Sequence, residues 1–341
     1  MKILINTVCF YPNIGGLETM NMLLCSGLAK RGHQVTVLAP SYPDKDYDDS
    51  AYPFRIIRQA SSLTLFKEYL KCDVFFHRQI SLKAVWPVML WPFKKWVCSY
   101  HMCEFDNFDN GTIKGRLKMF FSKFPHNIAV SKKVAECLCL PNATIIPNAY
   151  NNQLFIDTKN KERSGFIYVG RLVSVKGILL LIDAFDQFVK QYPENKNAHL
   201  TIVGDGEERE EAERFVRRNN LGLRVRFKGM LKGKELVDEM NRHLCQVVPS
   251  IYNEAFGIVA LEAMATGCIA LVSDGDGLQE AIGDCGFTFK KGNVDDLYNK
   301  LSIVADLSCA EIVQLKRKAM DRCSEFTPEE VVNRYEKVLI G

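Results

Sequence analysis

Short apolar runs alternate with amphipathic stretches along the chain, and this alternation limits the possible folds more than any other feature of the sequence. The runs suit buried strands, and the amphipathic stretches between them have the spacing of crossover helices. Repeated strand–helix–strand units build parallel sheets with helices packed on both faces. The sequence therefore predicts an α/β protein.

The predicted elements form two series, which indicates two doubly wound, Rossmann-like domains. In the first series we predict a helix at Leu17–Arg31 and strands at Lys2–Thr7, Gln34–Leu38, Asp73–His77, Trp96–His101, Asn127–Val130 and Thr144–Ile146. The strands of the second are predicted at Phe166–Val169, His199–Val203, Val225–Lys228, Gln246–Pro249, Ala270–Ser273 and Phe287–Phe289. Its helices are predicted at Gly177–Gln191, Glu207–Asn219, Lys232–His243 and Gly257–Ala265.

A polar stretch without periodicity, Asp157–Ser164, predicts the linker between the two series. This division gives domains at 1–156 and 165–325, followed by a helical segment at 326–341. We expect the two domains to face each other across a cleft. Ligands of such sheets bind at the carboxyl ends of the strands, so candidate site residues should follow strands directly.

Composition is that of an ordinary globular protein. The 341 residues suffice for two cores, and 47% of them are hydrophobic. No apolar run approaches the ~20 residues that span a bilayer, and the start MKILINTVCFYP predicts a first strand rather than a signal peptide. The twelve cysteines include no C-x-x-C pair, so we expect a reducing cytoplasm without disulfides or zinc.

Glycine-flanked turns follow predicted strands in both halves. Gly15 and Gly16 could let backbone N–H groups approach an anion, although a plain tight turn is an equal alternative. In the second half, Gly170 is followed by Arg171 and Lys176, and two cations at a strand end suit a diphosphate. The alternative is that both cations are solvated surface residues. Since no G-x-G-x-x-G spacing occurs, a dinucleotide site is not predicted.

Two glutamates, Glu254 and Glu262, bracket a run of small and apolar residues. On one helix they would lie about 80° apart and about 12 Å along the axis. A helix that starts near Phe256 leaves Glu254 before it and Glu262 inside it. The N–H groups of Phe256, Gly257 and Ile258 could then hold a phosphate, while the carboxylates accept hydrogen bonds from hydroxyls. The pattern predicts a site for a nucleoside diphosphate that carries a sugar.

His101 ends a predicted strand and enters a loop that contains Glu104, Asp106 and Asp109. A lone histidine is more often structural, but its place at a strand end that faces the expected cleft makes a functional role an equal alternative, so both interpretations stay open. A metal site formed by His101 and these acids is poorly spaced. We therefore predict no metal and no other cofactor.

Over essentially its full length the chain resembles the retaining GT-B glycosyltransferases of the GT4 (group 1) family. Glu254 and Glu262 fit the E-x7-E motif of that family, which is the most specific match. Further matches in order and spacing are Gly15-Gly16, Glu18, His101, Ser131, Pro147-Asn148, Gly170-Arg171, Lys176-Gly177 and Gly204-Asp205-Gly206. The chain departs from the family at Gly275-Asp276-Gly277, where a Gly-Gly pair is usual and loop contacts near Glu280 are affected, and at Ala149, where glycine is usual.

The resemblance implies that Arg171 and Lys176 bind the donor diphosphate, that Glu254 and His101 contact the transferred sugar, and that Glu262 contacts the ribose. It implies further donor contacts from the backbone at Gly15, Gly16, Gly170, Gly204, Phe256, Gly257 and Ile258. Acceptor or neighbouring contacts are expected from Glu18, Ser131 and Asn148. The C-terminal helix is expected to cross back to the first domain.

The activity that the resemblance implies is retaining transfer from a nucleoside-diphosphate sugar, foremost a UDP-sugar, to a glycan or lipid-linked acceptor. The setting would be synthesis of a cell-surface polysaccharide such as lipopolysaccharide, O-antigen or capsule. Because a nucleoside diphosphate is already a good leaving group, no general acid is needed, and we assign Glu254 to positioning rather than nucleophilic attack. The alternatives are a GT-B nucleotide-sugar 2-epimerase, a non-catalytic sugar-nucleotide-binding subunit and a glycogen or starch synthase.

The charge of the chain is uneven. Residues 1–150 contain 18 Lys and Arg against 11 Asp and Glu, or +7, whereas the remainder has 26 against 29, or −3. We expect no nucleic-acid partner. In the basic half, the stretch Thr112–Phe124 places Ile113, Leu117, Phe120, Phe121 and Phe124 on one helical face between flanking cations. This helix could dock on an anionic membrane, or its apolar face could pack on the domain's own sheet. The predicted location is the cytoplasm, with the inner face of its membrane as the docking surface.

Overall fold

The structure is a computed structural model that describes residues 1–12, 16–40, 48–102, 112–140, 142–160, 162–192, 198–275 and 277–341. Its contacts divide the chain into two compact units. The first unit comprises Met1–Ala149 together with Pro328–Gly341, and the second comprises Tyr150–Thr327. The boundary thus falls after Ala149 rather than after residue 156, and the last helix belongs to the first unit.

The sheet of the first unit contains seven described strands, all parallel, in the order β3-β2-β1-β4-β5-β6-β7. They are β1 Lys2–Thr7, β2 Gln34–Ala39, β3 Arg55–Arg58, β4 Val74–Arg78, β5 Lys95–Tyr100, β6 His126–Ala129 and β7 Thr144–Ile145. Six of these were predicted to within one residue at each end. The remaining strand, β3, was not predicted. It is a four-residue edge strand with an arginine at each end, so it gives no apolar run.

The described helices of the first unit are α1 Gly16–Lys30, α2 Ser62–Lys71, α3 Leu82–Leu90, α4 Ile113–Phe121, α5 Lys132–Cys137 and α13 Pro328–Ile340. The helix α13 packs on α1. A Cβ atom at Gly27 would lie 2.6 Å from Val332 Cγ2, so the two helices meet at the glycine. At one end of this contact, Glu336 pairs with Arg31, and its other oxygen lies 2.7 Å from His33 Nε2.

One buried arginine joins three elements of the first unit. Arg78 ends β4, and its Nε donates to Asn21 Oδ1 in α1 over 2.6 Å. Its Nη1 donates to the hydroxyl of Tyr335 in α13 over 3.1 Å. Asn21 in turn donates to Thr7 Oγ1 and to the carbonyl of Cys9, at the end of β1. This network fixes α13 and the start of the loop after β1 with respect to the sheet.

The sheet of the second unit contains six described strands, all parallel, in the order β10-β9-β8-β11-β12-β13. They are β8 Phe166–Val169, β9 Leu200–Val203, β10 Val225–Gly229, β11 Cys245–Val248, β12 Ile269–Ser273 and β13 Phe287–Phe289. The described helices are α6 Ile178–Gln191, α7 Arg209–Arg218, α8 Gly233–Met240, α9 Ile258–Ala265, α10 Gly277–Ile282, α11 Val294–Ala305 and α12 Cys309–Ser324. All predicted strands of this unit are present, and its four predicted helices end within three residues of the predicted bounds.

The stretch predicted as a linker, Asp157–Ser164, is instead attached to the second unit. Asn241 Oδ1 accepts a hydrogen bond of 2.8 Å from the Thr158 N–H and one of 2.7 Å from Arg163 Nη2. Arg163 also forms an ion pair with Asp157. The polar residues of this stretch thus serve local hydrogen bonds, which explains why they lack strand or helix periodicity.

Among the residues that the structure describes, no helix is both long and apolar enough to cross a bilayer.

Candidate active site

The predicted donor residues lie at the carboxyl ends of three neighbouring strands in the second unit. Gly170 and Arg171 follow β8, Gly204 follows β9, and Glu254 comes shortly after β11. The loops after β8 and β9 are joined by hydrogen bonds, such as that from the Leu172 N–H to the Asp205 carbonyl over 2.9 Å. Strand order alone therefore brings residues about 80 positions apart to one edge of one sheet.

Glu254 is the centre of a hydrogen-bonded cluster at this edge. Its Oε1 lies 2.6 Å from Lys176 Nζ and accepts a hydrogen bond of 2.8 Å from the Ser250 hydroxyl. Its Oε2 accepts one of 2.7 Å from the Tyr252 hydroxyl. Lys176 Nζ also donates to Tyr252 Oη over 3.1 Å and lies 4.8 Å from the centre of that ring. Both carboxylate oxygens of the buried Glu254 thus have partners, which suits an ionised group.

Ser250 and Tyr252 were not predicted as site residues. Their signal was weak but present, since both lie within four residues before Glu254 in the loop after β11. Side chains in such a loop can turn back on a neighbour, yet sequence does not say which do so. Only the folded loop shows that both hydroxyls converge on one carboxylate.

Lys176 reaches Glu254 because two loops approach each other at a glycine. Lys176 ends a 3-10 turn at Ser174–Lys176, and Gly177 follows with φ 70°. A side chain at Gly177 would be strained by that φ, and its Cβ would collide with the carbonyl of Pro249, at the end of β11. The glycine therefore allows the loop after β8 to pack on the loop after β11.

Glu262 lies in α9, the helix that directly follows the loop of Glu254, and its surroundings differ from those of Glu254. Its side chain is partly buried, and it has no hydrogen-bond or ion-pair partner among the residues that the structure describes. Burial raises the pKa of its carboxyl to about 8. A carboxylate held in this way gains most from a ligand that donates hydrogen bonds to it.

The helix α9, which follows Glu254 and contains Glu262, begins slightly later than predicted. Its first residue is Ile258, and Gly257 precedes it with φ 94°. A Cβ at Gly257 would lie 2.5 Å from Leu278 Cδ2, so glycine is required there too. In the first turn the Ala260 N–H donates to the Gly257 carbonyl over 3.0 Å, and phosphate binding by the N–H groups of Phe256, Gly257 and Ile258 stays a prediction. Phe256 is buried against Phe326, with ring centres 5.6 Å apart.

Arg171 is not part of the Glu254 cluster. Its side chain is exposed, and its carbonyl accepts a hydrogen bond of 2.7 Å from the Tyr168 hydroxyl. Burial, together with the charges of Glu208 and Glu254, raises the pKa of Tyr168. Lys176 is thus the predicted cation that the structure places against a predicted carboxylate, and the role of Arg171 stays a prediction.

In the first unit, two predicted residues, His101 and Asn148, contact each other. His101 follows β5, is buried, and has Nδ1 3.2 Å from Asn148 Oδ1 and Nε2 3.2 Å from Ser99 Oγ. Because an amide oxygen only accepts, Nδ1 carries the proton and Nε2 accepts from the Ser99 hydroxyl. Burial holds the pKa of His101 well below its usual range, helped by the charge of Arg78 and opposed by Asn148. His101 is therefore neutral near pH 7.

The other predicted residues of the first unit have structural partners. Ser131 is buried, and its hydroxyl oxygen accepts a hydrogen bond of 3.2 Å from the Val134 N–H, so it caps α5. Gly16 begins α1, and Glu18 in its first turn contributes to raising the pKa of Cys9 to about 12, after burial. The acceptor roles of Ser131 and Glu18 stay predictions.

Several predicted residues lie outside the described part of the chain. They are Gly15, Glu104, Asp106, Asp109 and Asp276. Beside the last of these, Gly277 begins α10 and donates its N–H to the Glu254 carbonyl over 3.1 Å. The departure from the family's Gly-Gly pair therefore keeps a glycine at the position that anchors the Glu254 backbone.

The family model described as Glycosyl transferases group 1 matches residues 150–320, and that described as Glycosyltransferase Family 4 matches residues 14–154. An uncharacterized glycosyltransferase of Methanocaldococcus jannaschii is 28% identical over 330 residues, which cover 83% of each chain. The gpi3 subunit of the Schizosaccharomyces pombe phosphatidylinositol N-acetylglucosaminyltransferase is 25% identical over 339 residues, covering 86% of this chain and 71% of the relative. Among solved structures, Anabaena HepE in complex with UDP matches over 99% of both chains, with a TM-score of 0.80 at 18% identity.

The two doubly wound units and the structural match give the GT-B fold, and the two family models give the class, a glycosyltransferase. The chain belongs to the group 1 glycosyl transferases, whose model covers half of it.

Proposed function

We propose that the protein transfers a sugar from a UDP-sugar, with retention of anomeric configuration and without a divalent metal. The observation that carries this proposal is the Glu254 cluster, in which Lys176 lies 2.6 Å from the carboxylate at the strand ends. A diphosphate and a sugar need a cation and a hydrogen-bond acceptor side by side, and this pair supplies both. UDP is favoured because HepE, of the same fold, binds UDP.

Charge that develops on the departing phosphate is stabilised by Lys176, by Arg171 and by the N–H groups at the start of α9. These groups supply positive charge in fixed positions, so the proposal does not need a metal. The departing phosphate oxygen takes the proton of the acceptor hydroxyl on the face it leaves, which gives retention. The bond from the sugar to the phosphate oxygen breaks as the bond to the acceptor oxygen forms.

Glu254 positions the transferred sugar and does not attack it. Lys176 and two hydroxyl groups contact its carboxylate oxygens, and such contacts lower the nucleophilicity of a carboxylate. The same groups fix the orientation of the carboxylate, so that it can accept a hydrogen bond from a sugar hydroxyl.

Glu262 binds the ribose hydroxyls of the donor. The support is its lack of protein partners within the described residues, together with a pKa raised to about 8. Two ribose hydroxyls would provide the hydrogen bonds that favour the ionised form.

We assign recognition of the acceptor to the first unit, where Asn148 supplies a hydrogen-bonding group beside His101 close to the end of β5, and we keep His101 as a contact of the transferred sugar. The acceptor is a glycan or a lipid-linked molecule in the synthesis of a cell-surface polysaccharide. This narrower part of the proposal is supported by the basic first half of the chain and by the gpi3 relative, whose name includes the lipid phosphatidylinositol. It includes a peripheral contact with an anionic membrane from the cytoplasmic side.

Donor binding is tested by measuring the shift in Tm with UDP, GDP and ADP and with UDP-glucose, GDP-glucose and ADP-glucose. A ligand that binds only the folded state raises Tm by mass action. We expect the largest rise with UDP and UDP-glucose. A rise in Tm with the GDP or ADP ligands but not with the UDP ligands would contradict the assignment of uracil as the base of the donor.

Retention is tested by following slow donor hydrolysis with ¹H NMR, with water as the acceptor. We expect the anomer present in the donor to appear first, at a rate that EDTA leaves unchanged. The opposite anomer would exclude retention, and loss of activity in EDTA with recovery on adding Mg²⁺ would exclude the metal-free mechanism. Release of a 2-epimeric sugar would favour the epimerase alternative.

A further inference from the structure

The helices α2, α3 and α4 cover one face of the first unit's sheet. Right-handed crossovers that lead from β3 to β4, from β4 to β5 and from β5 to β6 place their helices on the same side. Consistent with this, α3 contacts both α2 and α4. The crossover from β1 to β2 runs in the other direction, so α1 and the helix α13 packed on it lie on the opposite face.

Most of the apolar residues of α4 and its C-terminal end are exposed rather than packed on this sheet. Gly115 is the buried residue of the helix, whereas Ile113 is 79% exposed and Phe124, just beyond its end, is 62% exposed. Leu117 and Phe120 are exposed as well, and Phe121 is partly buried. The second interpretation of the Thr112–Phe124 stretch, an apolar face that packs on the domain's own sheet, is therefore wrong.

The end of α3 and the residues after it are also exposed and apolar. Met89, Leu90 and Trp91 are exposed, and Phe93 is 78% exposed, with its ring centre 5.3 Å from that of Trp91. At the end of α4 the rings of Phe120 and Phe124 are 5.1 Å apart. The two aromatic pairs thus have similar local geometry.

Strand register brings these two groups side by side. Val97 of β5 pairs with His126 of β6, so the chain that leads from Phe93 into β5 runs beside the chain that leads from Phe124 into β6. Neighbouring strands lie about 4.8 Å apart. We call the combined set the α3–α4 surface; its members are Met89, Leu90, Trp91, Phe93, Ile113, Leu117, Phe120 and Phe124.

The two described segments that carry the α3–α4 surface are basic. Residues 74–102 and 112–135 together contain ten Lys and Arg but no Asp or Glu. Exposed members of this set include Lys83, Lys114 and Lys123. Contiguous exposed apolar residues mark an interaction surface, and a basic rim selects a partner that presents negative charge.

We propose that the α3–α4 surface docks on an anionic lipid bilayer. Trp91, Phe93, Phe120 and Phe124 enter the interfacial layer, where aromatic rings are favoured. The lysine side chains extend along the apolar residues and place their ammonium groups among lipid phosphates. This inference rests on the membrane contact of the proposed function and names the residues that make it.

The test is co-sedimentation of the full chain with vesicles of phosphatidylglycerol and phosphatidylcholine, or of phosphatidylcholine alone, at low and high salt. Two variants remove aromatic pairs: Trp91→Ser with Phe93→Ser, and Phe120→Ser with Phe124→Ser. A matched control, Leu223→Ser with Val313→Ser, removes two apolar residues that are just as exposed in the second unit. A third variant, Lys114→Gln with Lys123→Gln, lowers the charge alone.

We expect the wild type and the control to bind anionic vesicles at low salt. Each aromatic variant should reduce the partition coefficient at least tenfold, and the lysine variant should weaken binding to anionic vesicles only. Equal binding by the aromatic variants and the control would overturn the proposal, and so would no binding by the wild type. A wild-type dimer that the aromatic variants dissociate would overturn it too, because the surface would then bind a second copy.

The donor-induced rise in Tm is measured on the same samples. Absence of vesicle binding by the wild type, with its rise in Tm intact, contradicts the docking surface and leaves the proposed transfer reaction standing. Absence of the rise in wild type that still binds vesicles contradicts the proposed donor and leaves the docking surface standing.

Discussion

The loop before α9 and the helix α9 itself place two carboxylates in opposite surroundings. In the loop, Glu254 has Lys176, Ser250 and Tyr252 as partners. In the helix, Glu262 has no partner among the described residues, and burial raises its pKa to about 8. One carboxylate is thus held in place by the protein, whereas we propose that the other gains its hydrogen bonds from a ligand.

This difference indicates that the two residues of one motif act at different stages. A residue fixed beside a cation can stabilise a transition state, because its geometry does not have to change during the reaction. A residue without partners contributes mainly to ground-state binding of the donor. Substitutions should therefore separate kcat from KM.

The largest effect is expected for Glu254→Gln. The amide keeps the shape but loses the charge that orients Lys176, so kcat/KM should fall by roughly 10²-fold or more, about 3 kcal/mol. Lys176→Ala should cause a similar loss. Steady-state donor hydrolysis measures both, and wild-type kinetics in either variant would remove the positioning role.

A smaller effect is expected for Glu262→Gln. It should raise the donor KM by about tenfold, near 1.4 kcal/mol, with kcat within about twofold of wild type. The same initial-rate assay gives both constants. If kcat falls as far as in Glu254→Gln, the two carboxylates do not differ in the proposed way.

Glu262 should also give the stability of the protein a measurable pH dependence. The pKa of its carboxyl rises from 4.5, the ordinary value of a glutamate in the unfolded chain, to about 8 in the folded protein. Its contribution to stability is therefore fully present below pH 4.5 and is lost as the pH rises to about 8, by at most ~1.4 kcal/mol per pH unit. Calorimetry at about pH 5 and about pH 8 should show a smaller fall in Tm for Glu262→Gln than for wild type. Parallel curves would indicate that Glu262 is solvated.

The smallest effect is expected for Tyr252→Phe. It removes one of the hydroxyl groups that bind Glu254, and because Tyr252 is partly exposed, water can replace it. We expect kcat/KM to fall by about two- to tenfold, as for a net loss of about 0.5–1.5 kcal/mol. No change would show that Lys176 and Ser250 alone hold the carboxylate.

Much of the fold could be predicted from the sequence because parallel strands are buried on both faces and form continuous apolar runs. The prediction failed where this does not hold. The strand β3 lies at a sheet edge, and the stretch Asp157–Ser164 is held by hydrogen bonds to Asn241. The helices α10, α11 and α12 were not predicted. For α12 the reason is clear, since Ala319 and Cys323 are its buried residues and provide little apolar periodicity.

The site was predictable where backbone geometry limits the sequence. Gly177 and Gly257 have positive φ and lie against neighbouring chain, so their positions beside Lys176 and before α9 carry information. The positions of Ser250 and Tyr252 beside Glu254 carry no such backbone information, because any serine or tyrosine in a loop can also face solvent. Ser131 matches a family position, yet its hydroxyl caps a helix, and sequence alone does not distinguish the two roles.

The central claim is that Glu254 serves the sugar and Glu262 serves the nucleotide. Isothermal titration of wild type, Glu254→Gln and Glu262→Gln with UDP and UDP-glucose tests it directly. We predict that Glu262→Gln lowers the affinity for UDP and for UDP-glucose by the same factor. Glu254→Gln should leave the affinity for UDP unchanged and lower only the affinity for UDP-glucose. If Glu254→Gln weakens UDP as much as Glu262→Gln does, the two carboxylates serve the same part of the donor and the claim is contradicted.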